Sequence, residues 1–166
     1  MTNFDIVSKL NDAAGNTKNP TWEVAEKQFK IIELEFNELR KALANKDVTK
    51  LRDGIADNLV TVYGLAHRLG IDANKDMACV TDALWTRFDV SEANALLTKE
   101  KYLALGVPTF IRKTTVDGTV LFITIVEADV TGLDDEFYPA GRWLKAKFFK
   151  EPEFEGGIVI SDSLSV

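Results

Sequence analysis

Residues 33–57 read ELEFNELRKALANKDVTKLRDGIAD, and the fold turns on how that stretch divides. Its first half continues an apolar repeat that begins after Trp22, in which Ala25, Phe29, Ile32, Phe36, Leu39 and Leu43 recur at alternating steps of three and four. That spacing keeps one face of an α-helix apolar over about six turns. ANKD interrupts the repeat, and Asp47 carries the short acceptor side chain that caps a following helix. Leu51, Ile55, Leu59, Val62, Ala66 and Leu69 then draw a second stripe as far as Gly70. Two long helices joined by so short a turn are expected to pack antiparallel.

The same stretch carries four carboxylates. Residues equidistant from a turn centred near Lys46 lie side by side, which sets Glu38 level with Gly54 and Glu35 level with Asp57. Glu35 and Glu38 share a helix face, as do Asp53 and Asp57. Like charges so close repel, so two readings stand: a solvated acidic surface, or hard oxygen ligands for Mg²⁺ or Mn²⁺.

On the N-terminal side, Phe4, Ile6, Val7 and Leu10 suit a short helix, and Thr21 is placed to cap the long one. On the C-terminal side, IDANKDMACVTDALWTRF (71–88) reads as a further core helix capped by Asp72, and SEANALLTKEKYLALG (91–106) as one or two shorter helical segments. After Gly106 the pattern changes to alternation around Asp117-Gly118, a strong hairpin signal. Residues 132–154 read as loop, and Ile158–Ile160 as a short strand before a fraying end. The expected architecture is mainly α: an antiparallel bundle of four to five helices over residues 1–106. Residues 107–166 form a small C-terminal β-hairpin and extension packed on it, within a single domain.

A formal net charge of -6 with scattered basic residues argues against nucleic acid and anionic membranes as partners. No apolar run approaches the ~20 residues of a membrane span, and the first residues do not read as a signal peptide. With Cys79 as the only cysteine, a reducing, cytoplasmic location is expected and Cys79 is assigned to a buried slot. His67 is the sole histidine, which excludes His-rich zinc chemistry; it is assigned to a helix surface or a partly buried structural role. Phosphate loops and dinucleotide fingerprints are absent from the sequence.

KIIELEFNELRKAL (30–43) followed by LRDGIADNLVTVYGLAHRLGID (51–72) resembles the MazG-like all-α nucleoside triphosphate pyrophosphohydrolases, including short phage-encoded members. Their mark is Glu-Glu-x-x-Glu on one helix and Glu-x-x-Asp on the next. ALWTRFD (83–89) resembles a later segment of phage-type members, and GRWLKAKFFKEPEF (141–154) their C-terminal Gly-Lys-x-x-Lys stretch with a following Pro. The resemblance runs in consistent order from Phe4 to Phe154. It implies Mg²⁺, or Mn²⁺, held by Glu35, Glu38 and Asp57, and hydrolysis between the α and β phosphates of a nucleoside or deoxynucleoside triphosphate. Glu38 is the expected acceptor of the attacking water's proton. Arg87 and Lys145 match basic residues expected to contact phosphate. Trp85 and Phe29 are candidates to border a base pocket, with a core or interface role the alternative, and Asn58 is a candidate to orient a ligand. A homodimer or homotetramer is implied, and Ile31, Leu34, Val60 and Tyr63 are compatible with a second packed face.

The chain departs from the family at three points. Leu34 stands where the first glutamate is usual, Gly54 where the second helix places its glutamate, and Leu84 where an asparagine is common. Asp53 is the candidate substitute for the missing glutamate, although on an ideal helix it points about 100° away from the Gly54 direction. The alternative to an enzyme is a non-catalytic helical binding or assembly protein built on the same fold.

Overall fold

The computed structural model describes residues 1–162. Five helices precede a small β-hairpin, so the mainly-α class with a β appendage holds. The elements are α1 (Asn3–Ala13), α2 (Trp22–Ala44), α3 (Val48–Leu69), α4 (Ala73–Trp85), α5 (Glu92–Leu103), β1 (Thr109–Val116) and β2 (Thr119–Val126). The helix boundaries fall where the capping chemistry puts them. Thr21 accepts from the Val24 amide at 3.2 Å, Asp47 from Lys50 at 3.0 Å, and Asp72 from Asn74 and Lys75 at 3.1 and 3.2 Å. Gly70 stops α3 in the left-handed conformation, φ +74°, which its lack of a Cβ permits. At the hairpin tip Asp117 and Gly118 both have positive φ, the turn whose twist matches paired strands.

The chain divides into two compact units. The first comprises Met1–Met77 with the C-terminal segment from Phe154, and the second Ala78–Glu153. This corrects the expected boundary after Gly106. The reason is packing: α5 lies on β1 and β2, and Tyr102 and Val107 are buried with Val126, Tyr138 and Leu144 in one apolar cluster. α4 contributes its first turn to the first unit and the remainder to the second.

In the first unit α2 and α3 are antiparallel neighbours with α1 against α3, where the Phe4 and Tyr63 rings meet edge to face at 5.8 Å. The seam between α2 and α3 is not the expected apolar one. Gln28 donates to the Thr61 carbonyl at 3.1 Å and lies against Gly64, while Leu39 lies against Gly54. Counted around each helix at about 100° per residue from that seam, both apolar stripes turn to the same side of the pair. There Phe29, Phe36, Leu43, Ile55, Leu59 and Val62 are each about half exposed or more.

A Cβ built on Gly54 comes within 3.2 Å of the Leu39 Cα and 3.3 Å of its Cβ. Gly54 is therefore a point of close backbone approach between the helices and not an empty ligand position. Gly54→Ala gains about 1 kcal/mol of helix propensity but overpacks a backbone contact, at about 1–3 kcal/mol. The expected net result is a lower melting temperature; a higher one would mean that Leu39 yields freely. For the same reason, glutamate at position 54 is expected to destabilise rather than to supply a ligand.

His67 is also corrected. It is buried, with only 2% of its surface exposed, and its Nε2 lies 3.0 Å from the Asn16 carbonyl oxygen and 3.2 Å from an Asp12 carboxylate oxygen. Two acceptors at one nitrogen place the hydrogen there, so His67 ties the α1–α2 connection to α3. Ile158–Ile160 form no strand; Ser161 alone bridges to Thr21, and the frayed end expected beyond falls on 163–166, outside the described residues.

In the second unit, Thr98 donates to buried Asp89 at 2.8 Å and accepts from the Lys147 amide at 2.9 Å, joining three segments. Burial pushes the Asp89 carboxyl up, and the Thr98 hydrogen bond opposes that. Val130–Thr131 pairs with Phe137–Tyr138 as a second short ladder, the latter within the stretch 132–154 that reads as loop. Cys79 is half-buried rather than buried and donates its S–H to the Glu153 carbonyl at 3.1 Å.

Candidate metal centre and anion contacts

The turn symmetry read from the sequence holds. Gly54 meets Leu39 and Gly64 meets Gln28, pairings within one residue of those counted from Lys46. Glu35 and Asp57 are partly buried, whereas Glu38 and Asp53 are exposed. The Glu35 carboxyl is held above its ordinary range, first by loss of surrounding water, then by the charges of Asp57, Glu38 and Asp53. The other three carboxylates therefore act on Glu35, which the turn geometry anticipates. Among the described residues none of the four pairs with a lysine or arginine, so their repulsion has no basic side chain to offset it.

Among the described residues, no three His, Cys, Asp or Glu side chains stand gathered as a ready cation cage. The four carboxylates share a field and not a single point. Their chemistry still fits Mg²⁺ or Mn²⁺: hard oxygen donors, no competing cation. Two of the four are on exposed side chains free to change rotamer. Asn58 is half-buried and donates to the Gly54 carbonyl at 2.7 Å, which leaves its side-chain oxygen as the group available to a ligand.

No protein-family model, curated protein or solved structure matches this chain. Its chemistry has to be read from its own residues.

Arg87, Lys145 and Trp85 belong to the second unit. Arg87 and Lys145 come together there, with the guanidinium carbon 5.6 Å and the ammonium nitrogen 4.5 Å from the centre of the Phe149 ring. Lys145 is paired with Glu151 at 2.5 Å, so an anion has to compete for it. The Arg87 Nε is buried without a hydrogen-bond partner among the described residues. Trp85 is about half exposed and meets Phe88 edge to face at 5.9 Å. Phe29 is exposed on the apolar face of the first unit and lines a shallow cleft with Trp22.

The direction of the Glu35 shift makes a prediction. A carboxyl whose pKa is raised by folding favours the folded state below its ordinary value, and that contribution is lost as pH rises through the folded pKa. In chelator, melting temperature is therefore expected to fall as pH rises from about 4.5 toward neutrality, and Mg²⁺ to reverse part of the fall by binding the folded state. Glu35→Gln should flatten the fall and remove the Mg²⁺ response; equal profiles for the two proteins would separate Glu35 from cation binding.

Proposed function

We propose that the protein is a metal-dependent nucleoside triphosphate pyrophosphohydrolase that converts a ribo- or deoxyribonucleoside triphosphate and water to the monophosphate and pyrophosphate. The observation that carries this is the effect of Asp57, Glu38 and Asp53 on Glu35 across one antiparallel helix pair, with no salt bridge to any of the four among the described residues. The resemblance of 30–43 and 51–72 to MazG-like enzymes supports the same reading.

Glu35 and Asp57, the partly buried pair, would hold the cation, and Asp53 would add an oxygen from α3 in place of the glutamate that Gly54 excludes. When bound, Mg²⁺ or Mn²⁺ supplies neutralisation of the triphosphate's charge. Glu38, exposed to solvent and substrate, accepts the proton of the water that attacks the α-phosphorus. The bond from that phosphorus to the bridging oxygen breaks, and pyrophosphate leaves with the electron pair. Asn58 orients a ligand through its side-chain oxygen; a phosphate-contact role for Arg87 and Lys145 rests on the resemblance of 83–89 and 141–154 alone.

The active form is a homodimer or homotetramer. Trp22, Phe29, Phe36 and Leu43 recur every seventh residue on α2, as do Val48, Ile55 and Val62 on α3, and all seven are exposed. Two copies of this pair, face to face, make a four-helix bundle whose seam repeats at the coiled-coil spacing. Among the described residues no helix is long and apolar enough to cross a membrane, which agrees with action in the cytoplasm on dissolved nucleotides.

A panel of ribo- and deoxyribonucleoside triphosphates with Mg²⁺ or Mn²⁺, assayed for pyrophosphate, tests the reading. Release that requires the cation is expected for at least one nucleotide. Orthophosphate instead would mean a different reaction class, and no turnover with the fold intact would leave a helical assembly protein.

A further inference from the structure

The second unit holds a cleft of its own, to which Trp85 and Arg87 contribute one side. Its volume is about 520 Å³, within the range of small-molecule sites. One wall is a single face of the hairpin, where Arg112 stands opposite Ile123 and Thr114 opposite Leu121. The other is aromatic: Trp85 meets Phe88 at 5.9 Å, and Phe88 meets Trp143 at 6.0 Å, all edge to face. Both indoles are about half exposed, so ring surface is available for stacking.

The charge of the lining is one-sided. Among the described residues it includes Arg87 and Arg112 and no carboxylate, and neither arginine forms a salt bridge. The Arg87 side chain donates one long hydrogen bond, 3.4 Å, to the Trp143 carbonyl and lies over the Phe149 ring at 5.6 Å, with its Nε buried and without a hydrogen-bond partner among the described residues. Two guanidinium groups without a salt bridge among the described residues, beside a wall of edge-to-face aromatic rings, complement a flat ring that carries one anionic group. We infer that this cleft binds a small planar aromatic anion, a carboxylate or a phosphate ester, with Arg112 as the principal anion contact. The inference stands whether or not the first unit hydrolyses nucleotides.

The test uses the full chain in chelator, so that no cation site contributes, and follows the three indole N–H signals in ¹H–¹⁵N spectra. Titrants are 1-naphthoate, 1-naphthyl phosphate and the uncharged 1-naphthalenemethanol. Trp85 and Trp143 are expected to shift saturably while Trp22, which does not line the cleft, stays. At least one anion should bind about tenfold or more tightly than the alcohol, the scale of one charge-assisted hydrogen bond; the tighter of the two assigns the anionic group. Arg112→Gln, on an exposed strand position, should erase that preference and leave the spectrum otherwise folded. The inference fails if neither Trp85 nor Trp143 shifts, if Trp22 shifts equally, or if the alcohol binds as well as the anions. It fails equally if the preference survives in Arg112→Gln.

Discussion

Glu38→Gln is expected to lower cation-dependent pyrophosphate release by about 10²–10⁴, the usual contribution of a positioned proton acceptor, while leaving the fold intact. Glu38 is exposed and has no ion pair among the described residues, so replacing its carboxylate by an amide of the same shape removes no stabilising contact. It relieves one of the three charges acting on Glu35, and thermal stability without cation should therefore stay level or rise. The combination is diagnostic: a structural role predicts loss of stability together with activity, whereas an acidic centre predicts loss of activity alone. If turnover proceeds in Glu38→Gln at the parent rate, the proton acceptor lies elsewhere.

Phe36→Asp is expected to give the largest change in assembly. Phe36 sits in the seven-residue repeat on α2, and about half of its surface is open in the single chain. A charge there costs the protomer little. Across a twofold interface each substitution acts twice, and losing a buried phenylalanine at about 3 kcal/mol per side comes to about 6 kcal/mol, or roughly 10⁴ in dissociation constant. Sedimentation equilibrium should find the parent chain dimeric or larger at micromolar concentration and the variant monomeric, with unchanged helical circular dichroism. A monomeric parent chain at 100-fold higher concentration would sink the assembly assignment.

What could be read from the sequence is what depends on near neighbours. Thr21, Asp47 and Asp72 cap helices because their side chains reach amides two or three residues on, and Asp117-Gly118 turns a hairpin because both residues tolerate positive φ. That Glu38, Asp53 and Asp57 act on Glu35 also follows from local facts, since the turn near Lys46 is short enough to pair residues by counting. Periodicity alone leaves undecided which side of an apolar stripe is covered. Phe29 and Ile55 share the spacing of core residues, yet the seam is formed by Gln28, Leu39, Gly54 and Gly64, where small side chains let the helices approach. The boundary near Gly106 marks a change of composition, but α5 packs forward onto the hairpin, and its Tyr102 is buried with Val126 and Leu144, 24 and 42 positions on. Arg112 escaped notice for the same reason: only the pairing of β1 with β2 brings it to one face with Leu121 and Ile123.

Gly54 and Gly64 have a bearing on how the chain folds. Each lowers the intrinsic tendency of its segment to coil by about 1 kcal/mol relative to alanine, so Val48–Leu69 in isolation is a weak helix despite its length. Both glycines lie against side chains of α2. Order in α3 is therefore conferred by docking, and the two helices form as one cooperative step. The short connection between them makes that step cheap in loop entropy, and its contacts are close along the chain, the condition for fast folding. The hairpin of helices is then the natural nucleus of the first unit, with α1 and the C-terminal segment added to a surface that already exists.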